Sequence, residues 1–139
     1  MYEYNCTVEK VVDGDTIDVV LDLGFDILYK SRVRLYGIDT PESRTRNKDE
    51  KARGKMAGAF LEEAIEDGEK VVIQTKLKDS RGKFGRVLGD VVVDGVNINK
   101  LMVKCHLAVA YYGQSKKDVE AEHMRNRDIL IEKGIFEPV

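Results

Sequence analysis

The stretch ILYKSRVRLYGIDTPE, Ile27–Glu42, changes character part-way along, and the reading of the fold starts from that change. From 27 to 36 the side chains alternate, with Tyr29, Ser31, Val33 and Leu35 on one face and Lys30, Arg32 and Arg34 on the other. That is the period of a half-buried strand. Pro41 ends the run, and the polar stretch 43–49 reads as a loop. Two carboxylates, Asp39 and Glu42, stand three residues apart just past the apolar run, with Arg34 at its other end. A strand followed by a polar turn would look like this. So would one half of a metal-assisted catalytic site.

Upstream, residues 4–12 have β character and Asp13-Gly14 supplies a turn. After it Ile17, Val19, Leu21 and Leu23 alternate with Thr16, Asp18, Val20 and Asp22 until Gly24 breaks the pattern. Three strands at this spacing predict an antiparallel meander. Downstream the period becomes helical from about 50 to 66, with Ala57, Leu61 and Ile65 recurring beside Met56 and Phe60. Asp67-Gly68 ends that helix with the glycine cap common at helix C-termini.

Strands follow at 70–76 and 86–93, and then an Asp94-Gly95 turn. Asn97 is placed to cap a short helix burying Ile98, Leu101, Met102 and Cys105. Ser115 to Asp118 has the form of a capping box, opening a helix to about 133 that Gly134 ends. The apolar stripe of that last helix is weak, so it is expected to pack at an edge. Three strands, a helix, two strands and two helices outline an α+β, mainly β fold: a five-stranded OB-fold Greek-key barrel with three α-helices. With no repeat, low-complexity tract or linker, residues 1–139 are expected to form a single domain.

Composition narrows the chemistry. Of 139 residues 42% are apolar and 35% charged, and a net charge of −2 argues against binding nucleic acid by bulk charge. The distribution says more. Residues 13–26 hold five aspartates and no base, whereas 43–55 hold six Lys or Arg against two acids and 74–86 hold five against one. This pattern predicts an acidic pocket flanked by basic ground. Cys6 and Cys105 lack C-x-x-C spacing and read as buried free thiols. The N-terminus MYEYNCTVEK has no basic segment followed by an apolar one, and no apolar run approaches a membrane span. A cytoplasmic protein without a membrane partner is expected, or a secreted one whose leader has been removed.

Asp13, Asp15, Asp39 and Glu42 are the candidates for metal chemistry. Hard divalent cations take oxygen ligands, and a carboxylate set without paired His or Cys favours Ca²⁺ or Mg²⁺ over zinc. An Asp in an Asp-Gly turn ordinarily serves the turn, so both readings stay open for Asp13 and Asp15. Pro41 stiffens the chain between Asp39 and Glu42, which suits carboxylates needing a fixed separation.

Arg34 leads into those carboxylates, and Arg86 ends the run Gly82-Lys83-Phe84-Gly85-Arg86, where two glycines permit close backbone approach. A planar guanidinium grips phosphate oxygens in pairs, as phosphoryl transfer requires. Arg32 reads as solvated. His106 and His123 read as structural, since neither has a partner near it in sequence.

VVDGDTIDV (11–19), VRLYGIDTPE (33–42) and KFGRVLG (83–89) resemble, in order, the three signature segments of the staphylococcal nuclease or thermonuclease family. The helix carrying Gly54 and Phe60, the Asn97–Leu101 segment and Gly134-Ile135-Phe136 resemble its later landmarks, so the similarity spans the chain. The resemblance implies Ca²⁺ held by Asp15, Asp39 and the Thr40 carbonyl. It implies that Glu42 positions or activates the attacking water, and that Arg34 and Arg86 bind the scissile phosphate and stabilise its transition state.

Asp13 matches a secondary acidic residue near the metal. Lys83 and Phe84 match substrate-phosphate contacts, although phenylalanine lacks a hydroxyl to donate. Tyr111 or Tyr112 matches a ring that stacks on a base, and Arg44, Arg46, Lys48 and Lys51 fall where they can track a nucleic-acid backbone. The implied activity is Ca²⁺-dependent hydrolysis of DNA or RNA, endo- or exonucleolytic, at the P–O5′ bond by a monomer, leaving 3′-phosphate ends. The alternative is a non-catalytic OB-type module that binds nucleic acid or protein. The joint presence of Asp15, Arg34, Asp39, Glu42 and Arg86 favours the enzyme.

Overall fold

The computed structural model of the chain describes residues 2–76 and 86–139; Lys83 and Phe84 lie outside the described residues. Strand β1 (Glu3–Asp13) pairs antiparallel with β2 (Thr16–Asp22) on one side and with β5 (Val71–Thr75) on the other. β2 pairs antiparallel with β3 (Leu28–Leu35), which gives the expected meander. β6 (Val87–Val93) runs antiparallel to β5 and parallel to β3, in the register Val33↔Val87, Arg34↔Leu88, Leu35↔Gly89. That parallel pairing closes β3-β2-β1-β5-β6 into a barrel, the α+β, OB-like architecture expected of the sequence. Two short ladders are added to it. β4 (Ile38–Asp39) pairs with β8 (Val109–Ala110), and β7 (Val96–Asn97) lies on β6.

Alternation decides the interior. Ile17, Val19 and Leu21 of β2, Val33 and Leu35 of β3, Ile73 of β5 and Val91 of β6 are buried together. Burying each such side chain contributes about 1.5–3 kcal/mol. On the outer face Arg32 pairs with Asp18 at 2.8 Å in an exposed position, the solvated role expected of it. Tyr29, on the same alternating face as Val33 and Leu35, is exposed although its cross-strand partner Leu21 is buried.

Helix α1 (Lys48–Asp67) starts where Asn47 caps it, its Oδ1 accepting from Glu50 N at 3.0 Å. Its buried stripe is Arg53, Gly54, Ala57 and Leu61, so the inward face reaches a turn further toward the N-terminus than the apolar residues suggest. Gly68 does end the helix, but with an extended backbone (φ −87°) and not a left-handed one. The residue is small because a Cβ there would collide with the Val93 side chain.

Helix α2 (Ile98–Lys104) is capped by Asn97 and buries Ile98 and Met102 as expected, with Leu101 and Cys105 partly covered. It also buries Asn99. The Asn99 amide donates to Tyr36 O at 2.9 Å and Asp90 Oδ1 at 3.1 Å and accepts from Val91 N at 3.0 Å. A polar side chain so fully partnered ties the end of β3 to β6 at little desolvation cost. Helix α3 (Lys116–Glu132) opens on the Ser115 cap and packs Val119 and Leu130 inward.

One contact connects this framework to the candidate catalytic loop. A Cβ on Gly54 would stand 2.6 Å from Pro41 O and 2.7 Å from the Glu42 carbonyl group, so α1 carries the Pro41-Glu42 backbone directly against its own. Gly54→Ala should therefore force the two apart and lower stability by about 1–3 kcal/mol, read as a reduced urea midpoint. An unchanged midpoint would mean the loop yields freely.

Candidate active site

The site is assembled around the turn between β1 and β2. Asp15 O accepts from Leu35 N at 2.8 Å, and Asp15 Oδ2 accepts from Thr40 N at 3.1 Å. One residue thus fastens both ends of the segment that carries Asp39. Gly14 lets the turn sit flush, since a Cβ there would come within 2.8 Å of Ala57 Cβ and 2.9 Å of Thr40 Oγ1. Asp39 leaves the end of β3 through Gly37, whose φ of +76° suits glycine, and is held in place by the β4–β8 ladder.

Arg34 reaches across this corner. Its Nη1 donates to Leu35 O at 2.8 Å, while Nη2 stands 3.5 Å from Asp15 Oδ2 and 3.6 Å from Asp39 Oδ1. Asp15 and Asp39 therefore converge on one positive group. Burial pushes the Asp15 carboxyl up, but the Arg34 charge, a hydrogen bond with Asp13 and the Thr40 bonds together hold it below its ordinary range. Asp13 takes the opposite course. Burial first, then the neighbouring Asp15 carboxylate, raise it from 3.8 to about 6. Its Oδ1 accepts from Asp15 N at 3.2 Å, so Asp13 also serves the turn.

The second oxygen of Asp39 is occupied by a residue that the sequence had left without a task. His123 Nε2 lies 2.8 Å from Asp39 Oδ2, with the imidazole almost buried. An ionised carboxylate can only accept, so Nε2 carries the proton and donates. Helix α3 is fixed for this contact by two anchors. Asn126 Nδ2 donates to Ala108 O at 3.1 Å, next to β8, and Arg127 Nε donates to Asp49 Oδ1 at 3.0 Å. Asp49 also accepts from Arg53 Nε at 2.9 Å. Against the upward push of its partial burial, the hydrogen bonds from Arg127 and Arg53 hold its carboxyl below the usual range.

The sequence carried a signal for His123. Val119, His123, Asn126, Arg127 and Leu130 follow a helical period, so the weak apolar stripe of α3 is an inward stripe with polar members.

In front of these groups opens a cleft of about 830 Å³, lined by Arg34, Asp39, Thr40, Glu42, Arg86, Tyr111, Tyr112, Lys116 and His123 among others. Glu42 is exposed on it, and Tyr111 and Tyr112 are 45% and 78% exposed. Among the described residues no group of three or more His, Cys, Asp or Glu is arranged to hold a metal. The donors that do converge, the carboxylates of Asp15 and Asp39, are all oxygen and already share a cation in the form of Arg34. That donor set fits a hard divalent ion.

The charge runs are divided differently from the expectation. Of the five aspartates in 13–26, Asp18 pairs with Arg32 and Asp22 accepts from Gly24 N in the β2–β3 turn. Only Asp13 and Asp15 lie at the cleft end, because strand alternation and turn chemistry use the others. Arg53 is buried against Asp49, whereas Arg44, Arg46, Lys48 and Lys51 are exposed. Cys6 and Cys105 are free and half-buried. Among the described residues no helix is long and apolar enough to cross a membrane.

A family model described as staphylococcal nuclease homologue matches residues 32–129, which is more than half of the chain. The chain belongs to that family. It is 30% identical over 116 residues to endonuclease YhcR of Bacillus subtilis (strain 168), covering 79% of this chain and 9% of that protein. It is 34% identical over 108 residues to endonuclease YncB of the same organism, covering 77% and 48%. With a thermonuclease of Staphylococcus intermedius it shares 33% identity over 105 residues, covering 76% and 58%. The chain thus spans 58% or less of the length of these staphylococcal nuclease relatives.

The opposed carboxyls of Asp13 and Asp15 give a pH signature. Asp13, raised to about 6, holds its proton more tightly when folded, so its contribution to stability declines as pH climbs from 3.8 to about 6. Asp15, lowered, contributes stability that is present above its unfolded pKa and lost only as pH falls through its folded one. Asp13→Asn in chelator-containing buffer should accordingly gain urea stability relative to the unmutated chain, by more at about pH 7.5 than at about pH 4.5. A difference that does not change with pH would contradict the pairing.

Proposed function

We propose that this staphylococcal nuclease homologue hydrolyses phosphodiester bonds of DNA or RNA with Ca²⁺, at the P–O5′ bond, leaving 3′-phosphate ends. The observation that carries the reading is the Arg34 guanidinium held between Asp15 and Asp39 beside a cleft that also contains Glu42 and Arg86. The names of the relatives, endonuclease and thermonuclease, point the same way. So does the charge of the cleft: Asp39, Glu42, Glu50 and Glu120 face Arg34, Arg86 and Lys116 there. A phosphodiester entering it meets a net negative wall unless positive charge is added.

In this mechanism Asp15, Asp39 and the Thr40 carbonyl hold the ion, which neutralises the phosphate and polarises its phosphoryl oxygen when bound. Arg34 is tethered through Nη1 to Leu35 O, and its long contacts to the carboxylates leave Nη2 available to a phosphate oxygen. Arg86 supplies the second guanidinium. Together they stabilise the charge that gathers on the equatorial oxygens as the attacking and leaving oxygens come into line. Glu42 accepts a hydrogen bond from the incoming water and orients it, and Pro41 restricts where that carboxylate can stand. Tyr111 and Tyr112 offer exposed rings for stacking on bases. Lys83 and Phe84, close to Arg86 in sequence, are further substrate contacts in this reading.

The test is cleavage of single-stranded DNA, duplex DNA and RNA with Ca²⁺, with Mg²⁺ and with a chelator. Cleavage with Ca²⁺, abolished by chelation and reduced about 10²–10³-fold by Arg34→Ala or Arg86→Ala, is expected, with 3′-phosphate on the products. Cleavage that survives the chelator, or is untouched in Arg86→Ala, would overturn the mechanism. Tight binding without cleavage in every condition would identify a binding module.

A further inference from the structure

We infer that His123 is a positioning residue for the cation site, fixing the rotation of the Asp39 carboxylate; this rests on the reading of Asp39 as a metal ligand. The two oxygens of Asp39 are divided between partners. Oδ2 takes the Nε2 proton of His123 at 2.8 Å, while Oδ1 faces the Arg34 guanidinium at 3.6 Å, the group it shares with Asp15. A carboxylate free to turn about its Cβ–Cγ bond would present either oxygen, or neither, to a cation. With Oδ2 engaged from behind, Oδ1 is directed to the point where Asp15 also converges.

The imidazole is itself held in place. Its side chain is 11% exposed, against 34% for Asp39, so the histidine is the more buried member of the pair. Four residues further along the same face of α3, Arg127 is clamped by Asp49 of α1, and Asn126 bonds to Ala108 O immediately before β8. β8 in turn pairs with β4 at Asp39↔Val109. Histidine and carboxylate therefore belong to one rigid unit, joined through the β4–β8 ladder and the foot of α3. A hydrogen bond made between two such fixed groups costs little side-chain entropy and sets direction well. Carboxylates that ligate metals are commonly oriented by such outer partners, whose loss typically costs about 10–100-fold in metal affinity.

The test is calorimetric titration of Ca²⁺ into the unmutated chain, His123→Ala, His123→Gln and Asp39→Asn, with thermal unfolding in chelator as a second readout. His123→Ala should weaken Ca²⁺ binding about tenfold or more. His123→Gln, whose amide Nε2 can donate from a similar place, should restore most of it, with chelator midpoints alike in both variants. The inference is overturned if His123→Ala binds Ca²⁺ as the unmutated chain does while Asp39→Asn does not. It is also overturned if Ala and Gln weaken binding equally and both lower the chelator midpoint, since His123 would then only fill space. If Asp39→Asn binds Ca²⁺ normally, the reading of Asp39 as a ligand fails first, and the role of His123 with it.

Discussion

Asp15 makes two hydrogen bonds that the rest of the site depends on: its backbone carbonyl receives Leu35 N and its carboxylate receives Thr40 N. Between those points the chain leaves β3, turns at Gly37 and presents Asp39. Any movement of the β1–β2 turn is passed directly to both carboxylates. The barrel supplies the rigidity behind it, since β3 is gripped on one edge by β2 and on the other by the parallel register with β6. Arg34 and Arg86 enter the cleft from opposite sides of that parallel seam, one within β3 and the other immediately before β6. Closing the barrel is what brings two arginines far apart in sequence to one place.

Electrostatics then set the resting state. Two carboxylates brought together and partly buried would repel each other and favour protonation. Arg34 offsets this for Asp15, while burial and the neighbouring Asp15 carboxylate make Asp13 the more readily protonated of the two. The guanidinium thus serves as an internal counter-ion in the proposed mechanism until a divalent ion takes over that task. His123 and Thr40 N each supply one donor to a carboxylate, but differently: on Asp39 the other oxygen, Oδ1, faces Arg34, whereas on Asp15 the same Oδ2 accepts from Thr40 N and faces Arg34.

Much of this was legible in the sequence, for physical reasons that differ from element to element. Period-two alternation marked β2 and β3, and Asn97 and Ser115 marked their helix caps, because these are local preferences. The segments around Asp15, Arg34, Asp39, Glu42 and Arg86 carried the family resemblance that the comparisons bear out. What escaped was polar and long-range. Asn99, Arg53, Arg127 and His123 all sit at inward helical positions, where a search for apolar residues passes over them. Their partners, Tyr36 and Asp90, Asp49, and Asp39, are brought to them by the tertiary fold alone. Gly68 was recognised as a helix end, but for the wrong reason, since the restriction comes from Val93 and not from a left-handed turn.

In the proposed mechanism Asp15 and Asp39 share a cation site that Arg34 spans when no ion is bound. Anomalous diffraction from crystals grown with CaCl₂ tests it most directly. One peak is predicted within about 2.3–2.6 Å of an oxygen of Asp15, an oxygen of Asp39 and the Thr40 carbonyl, with Arg34 Nη2 withdrawn from both carboxylates. A peak bound elsewhere, or no peak with Arg34 still between the two aspartates at saturating Ca²⁺, would contradict it.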